Sequence, residues 1–397
     1  MNNDQSINLV KETFESPFDR SSFIYFIKNL LNEYEEAEIS RKGVYIPAAF
    51  EDYISKFERL GKYIDSNQKR IDILVVYLKR ETSIERARSM LRNFIAGYLQ
   101  GKYGSSSDKD AALVAFVSPP NGEEWRFSLV KLETKLEENS KGGMKPVDEF
   151  TPARRWSFLV GKNEKSHTAQ SRLVPIIADD EHDPTLERLE DAFNIEKVTK
   201  EFFEKYRDLF IRTKEELDNT IAINSKAKVD FESKGIDSVN LAKKLLGQII
   251  FLYYLQKKGW FGVPRDSAWG QGSKSFLRDL FDKKHGSYDN FFNDILEPLF
   301  YDALRNDRSY DDHYYKLFEC KIPFLNGGLF DPMNDYDWVH TDILLSESLF
   351  SNDHNSKVGD TGDGILDIFD RYNFTVNEYE PFEKEVSLRM RVDGVLN

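Results

Sequence analysis

An α+β fold is predicted from a change of pattern along the 397-residue chain. Up to about residue 178, helical spacing alternates with β-branched, strongly apolar runs, whereas beyond it helical spacing dominates. Three of those runs are RIDILVVYLKR (Arg70 to Arg80), Ala111 to Val117 and Trp125 to Leu132. We therefore expect an N-terminal α/β domain over 1–178 and a mainly α-helical domain over 179–397. Two or three cores are also what a chain of this length leads one to expect.

Each element follows from local chemistry. Phe23, Phe26, Ile27, Leu30 and Leu31 form a stripe of period 3.6, which predicts a helix over Phe23 to Tyr34. Ala48 to Leu60 reads as a second helix running up to Gly61. Arg70 to Arg80 is rich in β-branched residues and reads as a buried strand. Ser83 can cap a long helix that reaches about Leu99, where Gly101 and Gly104 mark its end. Ala111 to Val117 and Trp125 to Leu132 read as strands joined by SPPNGEE, in which Asn121-Gly122 is a strong turn signal. Arg155 to Val160 is a further strand, and the domain is expected to end near Pro175. Ile177 to Thr185 reads as a linker, with Pro184 suited to the first turn of the next helix.

Beyond the linker, Val198 to Leu209 and Leu241 to Lys257 are the clearest helices. LLGQIIFLYYLQKKGW is apolar nearly all round, so it should be buried. Lys257, Lys258 and Gly259 then supply a basic last turn and a left-handed cap. IPFLNGGLF reads as an Asn326-Gly327-Gly328 turn, and ILDIFDRYNFTVNEYEP as a short helix running into an extended segment.

Composition excludes several classes. Forty per cent apolar residues, with 30 Phe and 19 Tyr, are ample for burial. The sequence has no run of about 18 apolar residues, so no membrane span is expected. The N-terminus lacks a basic segment leading into an apolar one, so no secretory signal is expected. The single cysteine, Cys320, excludes an internal disulfide and a cysteine zinc cluster, and agrees with a cytoplasmic setting. The six histidines are dispersed without metal-ligand spacing. A net charge of -13 excludes a general polyanion binder, so any DNA contact needs a local basic face.

The phrases Leu245 to Trp260, Ile322 to Phe330 and Ile365 to Pro381 occur in that order. Upstream of them lie SIERARSMLRNFIAGYL, EWRFSLVKLE, ARRWSFLVGKNEKSHTAQSRL and NFFNDILEPLFYDAL. Together they resemble restriction-modification polypeptides that hold an adenine-N6 DNA methyltransferase of the Eco57I type (type IIG-like), from about Phe57 to Val386. The resemblance implies a phage-defence role in which these segments precede the methyltransferase core. SLRMRVDGVLN, from Ser387, departs from the family's continuation, so methylation and S-adenosylmethionine binding are expected only of a domain absent from this sequence. The sequence itself agrees with that expectation. Ser118-Pro119-Pro120 is followed by Asn121 and lacks the aromatic platform a flipped adenine needs, and the glycines from Gly359 to Gly364 follow a polar loop instead of a strand.

Related polypeptides carry a nuclease of the PD-(D/E)xK type ahead of the methyltransferase, which makes the 1–178 domain a candidate of that kind. Such chemistry needs two carboxylates for Mg²⁺ and a lysine to activate water, on adjacent strands. The candidates are Glu58, Asp72 as metal ligand, and Lys79. However, Tyr77 stands where an acid is expected two residues before the lysine. Candidate double-stranded DNA contacts are Arg80, Arg86, Arg88, Arg92, Arg154 and Arg155, the alternative being ordinary solvated faces beside acids such as Glu81 and Glu85. A second expectation, of a different class, is a non-catalytic module that docks a separate methyltransferase or specificity subunit.

Overall fold

Asn2 opens the chain's first helix. Its side chain accepts the Gln5 N–H at 2.8 Å, and the Gln5 side chain accepts the Asn2 N–H at 3.3 Å. This reciprocal cap fixes the start of α1 (Asn3–Phe14). Asp19 caps α2 (Arg20–Leu31) in the same way, by accepting from the Ser22 N–H. The computed structural model describes residues 1–79, 88–103, 109–119, 121–132, 136–138, 144–146, 153–325, 328–354, 361–372, 374–376, 383–385 and 388–390. They form a mixed α+β fold of two units, 1–199 with 378–388, and 200–377 with 389–397.

The first unit is built on a mixed sheet of seven strands. In spatial order these are β1 (Glu35–Lys42), β2 (Ile54–Ile64), β3 (Arg70–Leu78), β4 (Ala111–Val117), β5 (Glu124–Lys131), β6 (Arg154–Gly161) and the short strand Glu383–Glu385. Neighbours are antiparallel except for β3 with β4 and β6 with Glu383–Glu385. A parallel pair needs a crossover, and the segment carrying α3 (Arg88–Leu99) provides it between β3 and β4. The β4 to β5 hairpin turns through Gly122, which takes a φ of 66°.

The two faces of the sheet bury different residues. Leu74, Val76, Val114 and Phe116 pack with Phe57 of β2 against Leu91, Phe94, Ile95 and Tyr98 of α3. On the other face, Phe14 of α1 and Phe23 and Phe26 of α2 meet Trp125 and Phe127 of β5 at centroid separations of 5.4–6.0 Å. A helix not expected from the sequence, α4 (His167–Ile177), also packs with α1 and α2.

Two sequence expectations change here. Ala48 to Leu60 is not a helix: Ala48–Phe50 is a single 3₁₀ turn and β2 starts at Ile54. The expected boundary near residue 178 also moves, to within α6 (Ile195–Ile223). The 177–185 segment is tied to the sheet, because the Tyr63 hydroxyl donates to the Pro184 carbonyl at 2.7 Å and Asp65 accepts the Leu186 N–H at 2.8 Å. Just beyond α5 (Leu186–Ala192), the Phe193 ring packs at a tilt against Phe127 and Phe158, with centroids 5.4 and 4.8 Å away.

The second unit is mainly helical. After α7 (Ser225–Lys234), α8 (Ser238–Gln256) is buried nearly all round, as its sequence requires. Its interior glutamines are satisfied: Gln248 donates to the Leu329 carbonyl at 2.8 Å, and Gln256 accepts the Leu277 N–H at 3.1 Å. Gly259 follows at a φ of 67°, where an added Cβ would lie 2.3 Å from the Gly270 carbonyl oxygen, so only glycine fits. Arg278 of α9 (Phe276–Phe281) bridges Asp367 and Asp370 of a later helix (Ile365–Asp370) at 2.9 and 2.7 Å. Phe291, Phe292, Phe300 and Tyr301 lie in and beside two π-helical turns, Phe292–Leu296 and Leu299–Leu304, and are core residues. Asn326 and Gly327 lie outside the described residues. Among those described, no helix is long and apolar enough to cross a membrane.

Candidate functional site

Asp72 sits on β3 in the face covered by α3. Its carboxylate is fully buried and has three donors: Arg59 Nε at 3.0 Å, Arg70 Nε at 3.2 Å and the Tyr98 hydroxyl at 2.7 Å. Burial, and then the adjacent carboxylate, push the Tyr98 hydroxyl well above the usual tyrosine range. The Lys109 ammonium caps the same ring 4.6 Å from its centroid. Two guanidinium groups thus compensate one interior carboxylate, the condition under which a buried charge is tolerable. A metal ion at Asp72 would have to displace these donors.

Glu58 lies on the opposite face. In the β2–β3 register Glu58 pairs with Val75, whereas Arg59 pairs with Leu74, a residue of the α3 side. Successive residues of a strand point to opposite faces, so Glu58 points away from α3. Its contacts agree, since Arg20 of α2 donates to Oε2 at 3.1 Å and Lys56 donates to Oε1 at 2.8 Å. Burial raises the proton affinity of Glu58, but the hydrogen bonds from Lys56 and Arg20 outweigh it and hold the carboxyl below its usual range. Arg20 continues to Glu38 at 2.7 Å.

The structure therefore does not bring Glu58, Asp72 and Lys79 together. Glu58 and Asp72 occupy adjacent strands but opposite faces, with the sheet between them. Lys79 follows β3, its N–H donating to the Tyr53 carbonyl at 2.9 Å, and its side chain is exposed. By alternation it belongs to the face of Tyr77, not that of Asp72. The residue that does share a face with Glu58 is Tyr77, directly opposite Lys56, whose ammonium lies 4.1 Å from the ring centroid. Among the described residues, no group of three His, Cys, Asp or Glu side chains is placed to hold a metal ion.

The arginines expected to contact DNA divide similarly. Arg80 and Arg86 lie outside the described residues, and Arg88 and Arg154 are described only as the first residues of α3 and β6. Arg92 and Arg155 are interior groups, 8% and 2% exposed. Arg155 Nε donates to Ser157 Oγ at 3.1 Å, and the guanidinium covers the Phe116 ring at 4.3 Å. Buried cations cannot present a solvated basic face, so Arg92 and Arg155 leave the DNA-contact set as corrections to the sequence reading. The structure adds Arg59, Arg70, Lys109 and Arg126, whose roles sequence reasoning missed. Arg126 is 2% exposed and pairs in register with Phe116, the ring that the Arg155 guanidinium covers. No family model, curated protein or solved structure matches this chain.

Proposed function

We propose that the first unit is a nuclease-like, DNA-contacting domain that does not cleave, within a restriction-modification polypeptide. The second, helical unit is then the connector that seats a methyltransferase domain. The resemblance of the sequence to Eco57I-type polypeptides supports the restriction-modification part of this reading. One observation carries the rest: Glu58, Tyr77 and position 79 share one face of two adjacent strands, the layout a metal-dependent nuclease uses, yet only one of the two carboxylates is present. With Lys56 and Arg20 on that carboxylate, no Mg²⁺ is held and no water is activated.

Fluorescence anisotropy with a labelled duplex across a salt series, beside plasmid cleavage with Mg²⁺, tests this. Binding that weakens steeply with salt, without nicking, is expected. Mg²⁺-dependent cleavage would refute the non-cleaving assignment, and absence of binding at low salt would refute DNA contact. The second reading, a module that docks a separate methyltransferase or specificity subunit, draws on the burial of Arg92 and Arg155. It also draws on apolar residues left exposed on α6, Phe203 and Ile211, at 61% and 44%. It predicts no duplex binding at any salt concentration.

A further inference from the structure

We propose that the Glu58 face of β2 and β3 is a cation site whose resident cation is the Lys56 ammonium. In this arrangement Lys56 and Tyr77 together exclude divalent metal ions. This deepens the non-cleaving reading above and rests on the same Glu58, Lys56 and Tyr77 geometry. It does not depend on whether the domain contacts DNA, so a Mn²⁺ titration and a duplex-binding assay can fail separately.

Both oxygens of Glu58 are engaged by cations, Oε1 by Lys56 at 2.8 Å and Oε2 by Arg20 at 3.1 Å. The Lys56 ammonium is held from a second side by the Tyr77 ring, whose negative face attracts it at 4.1 Å. Lys56 and Tyr77 are direct cross-strand partners, and Glu58 lies diagonally across from Tyr77 on the same face. That diagonal is short enough for two long side chains to share one small ion. Mg²⁺ and Mn²⁺ require several hard oxygen ligands, and carboxylates supply the charge. The site provides one carboxylate and one aromatic ring, and an incoming dication would meet two fixed positive charges. Glu38 accepts from Arg20 at 2.7 Å, so the two acids and two bases of the cluster already balance.

Two substitutions should therefore change the occupant. Lys56→Ala removes the resident cation, and Tyr77→Glu adds the missing carboxylate diagonal to Glu58. Electron paramagnetic resonance of free Mn²⁺, titrated against the full chain, reads the result. The Lys56→Ala/Tyr77→Glu protein is expected to deplete free Mn²⁺ with a dissociation constant of about 10⁻³ M or tighter. The wild type and Tyr77→Glu alone should not, because Lys56 still fills the position. Adding Glu58→Gln to the double variant should abolish the gain. Wild-type Mn²⁺ binding that is lost with Glu58→Gln would overturn the proposal, as would a folded double variant that binds nothing.

A second measurement needs no new site and keeps the proposal open to refutation if the double variant fails to fold. In a brief acetylation pulse read by mass spectrometry, Lys56 should react several-fold more slowly than exposed Lys79. Glu58→Gln should remove most of that difference. Equal labelling of the two lysines in the wild type would show that Lys56 is not held in place, and the proposal would fall.

Discussion

Substituting Asp72 separates a structural role from a catalytic one. The carboxylate is fully buried, and the side chains of Arg59 and Arg70 that bind it are only 14% and 18% exposed. Asp72→Ala would leave two largely buried guanidinium groups and the Tyr98 hydroxyl without their common acceptor. Breaking a buried pair by removing one partner costs about 3–5 kcal/mol. Tyr98→Phe removes one hydrogen bond to a charged group and should cost about 1.5–3 kcal/mol. Against a total stability of about 5–15 kcal/mol, Asp72→Ala should leave the first unit marginal. Urea unfolding, combined with hydrogen exchange of the β3 and α3 amides, places the loss in this unit. Asp72→Asn keeps the shape and an acceptor, so it should fall between the wild type and alanine. The reasoning is refuted if Asp72→Ala changes stability by less than about 0.5 kcal/mol. It is refuted more sharply if Asp72→Asn, while remaining folded, abolishes a Mg²⁺-dependent cleavage that the wild type performs.

Two further outcomes concern the helical unit. Burial pushes the Glu297 carboxyl well above the ordinary value of 4.5, against the opposing hydrogen bond from the Tyr336 hydroxyl. Because its folded pKa is the higher one, its contribution is complete below about pH 4.5 and is lost as pH rises toward that folded pKa. Stability should therefore fall by about 1.4 kcal/mol per pH unit within this window. Glu297→Gln should remove that slope, read as Tm against pH, and an unchanged slope would sink the assignment. Cys320 is buried and its thiol is pushed up to about 12, so a thiol-directed reagent at pH 8 should label it slowly in the folded protein and rapidly in urea. Fast labelling without denaturant would contradict its burial.

The strands β3, β4 and β5 were legible because their apolar and β-branched runs are short, dense and bounded by turn residues. β2 was not. Its register shifts between Ile54 and Lys56 and again between Arg59 and Gly61, and these bulges space the buried residues Ile54, Phe57, Leu60 and Tyr63 three apart. A spacing of three resembles one face of a helix, so a doubly bulged strand copies the helical pattern. β1 escaped for a different reason. Its sequence, EEAEISRK, is exposed along almost its whole length, as suits an edge strand that charges protect from further pairing. No apolar period marks such a strand, and only its pairing with β2 defines it.

The site was legible in one respect and hidden in another. Asp72 and Lys79 are separated by an odd number of positions, so alternation along one strand already places them on opposite faces, whereas positions 77 and 79 share a face. Glu58 could not be placed in this way, because its face depends on the β2 bulges and on a register that no local pattern encodes. The interior arginines were hidden for a related reason. A cation is tolerated inside only when distant parts of the chain bring it partners, as Asp72 does for Arg59 and Arg70, and Ser157 and Phe116 do for Arg155. Basic residues of one composition thus become an internal counter-ion at Arg59, a packed interior group at Arg155 and the occupant of a carboxylate at Lys56. The last is far the most exposed, its side chain at 40% against 14% for Arg59, so chemistry introduced at Lys56 and Tyr77 can reach a ligand where chemistry at the fully buried Asp72 cannot.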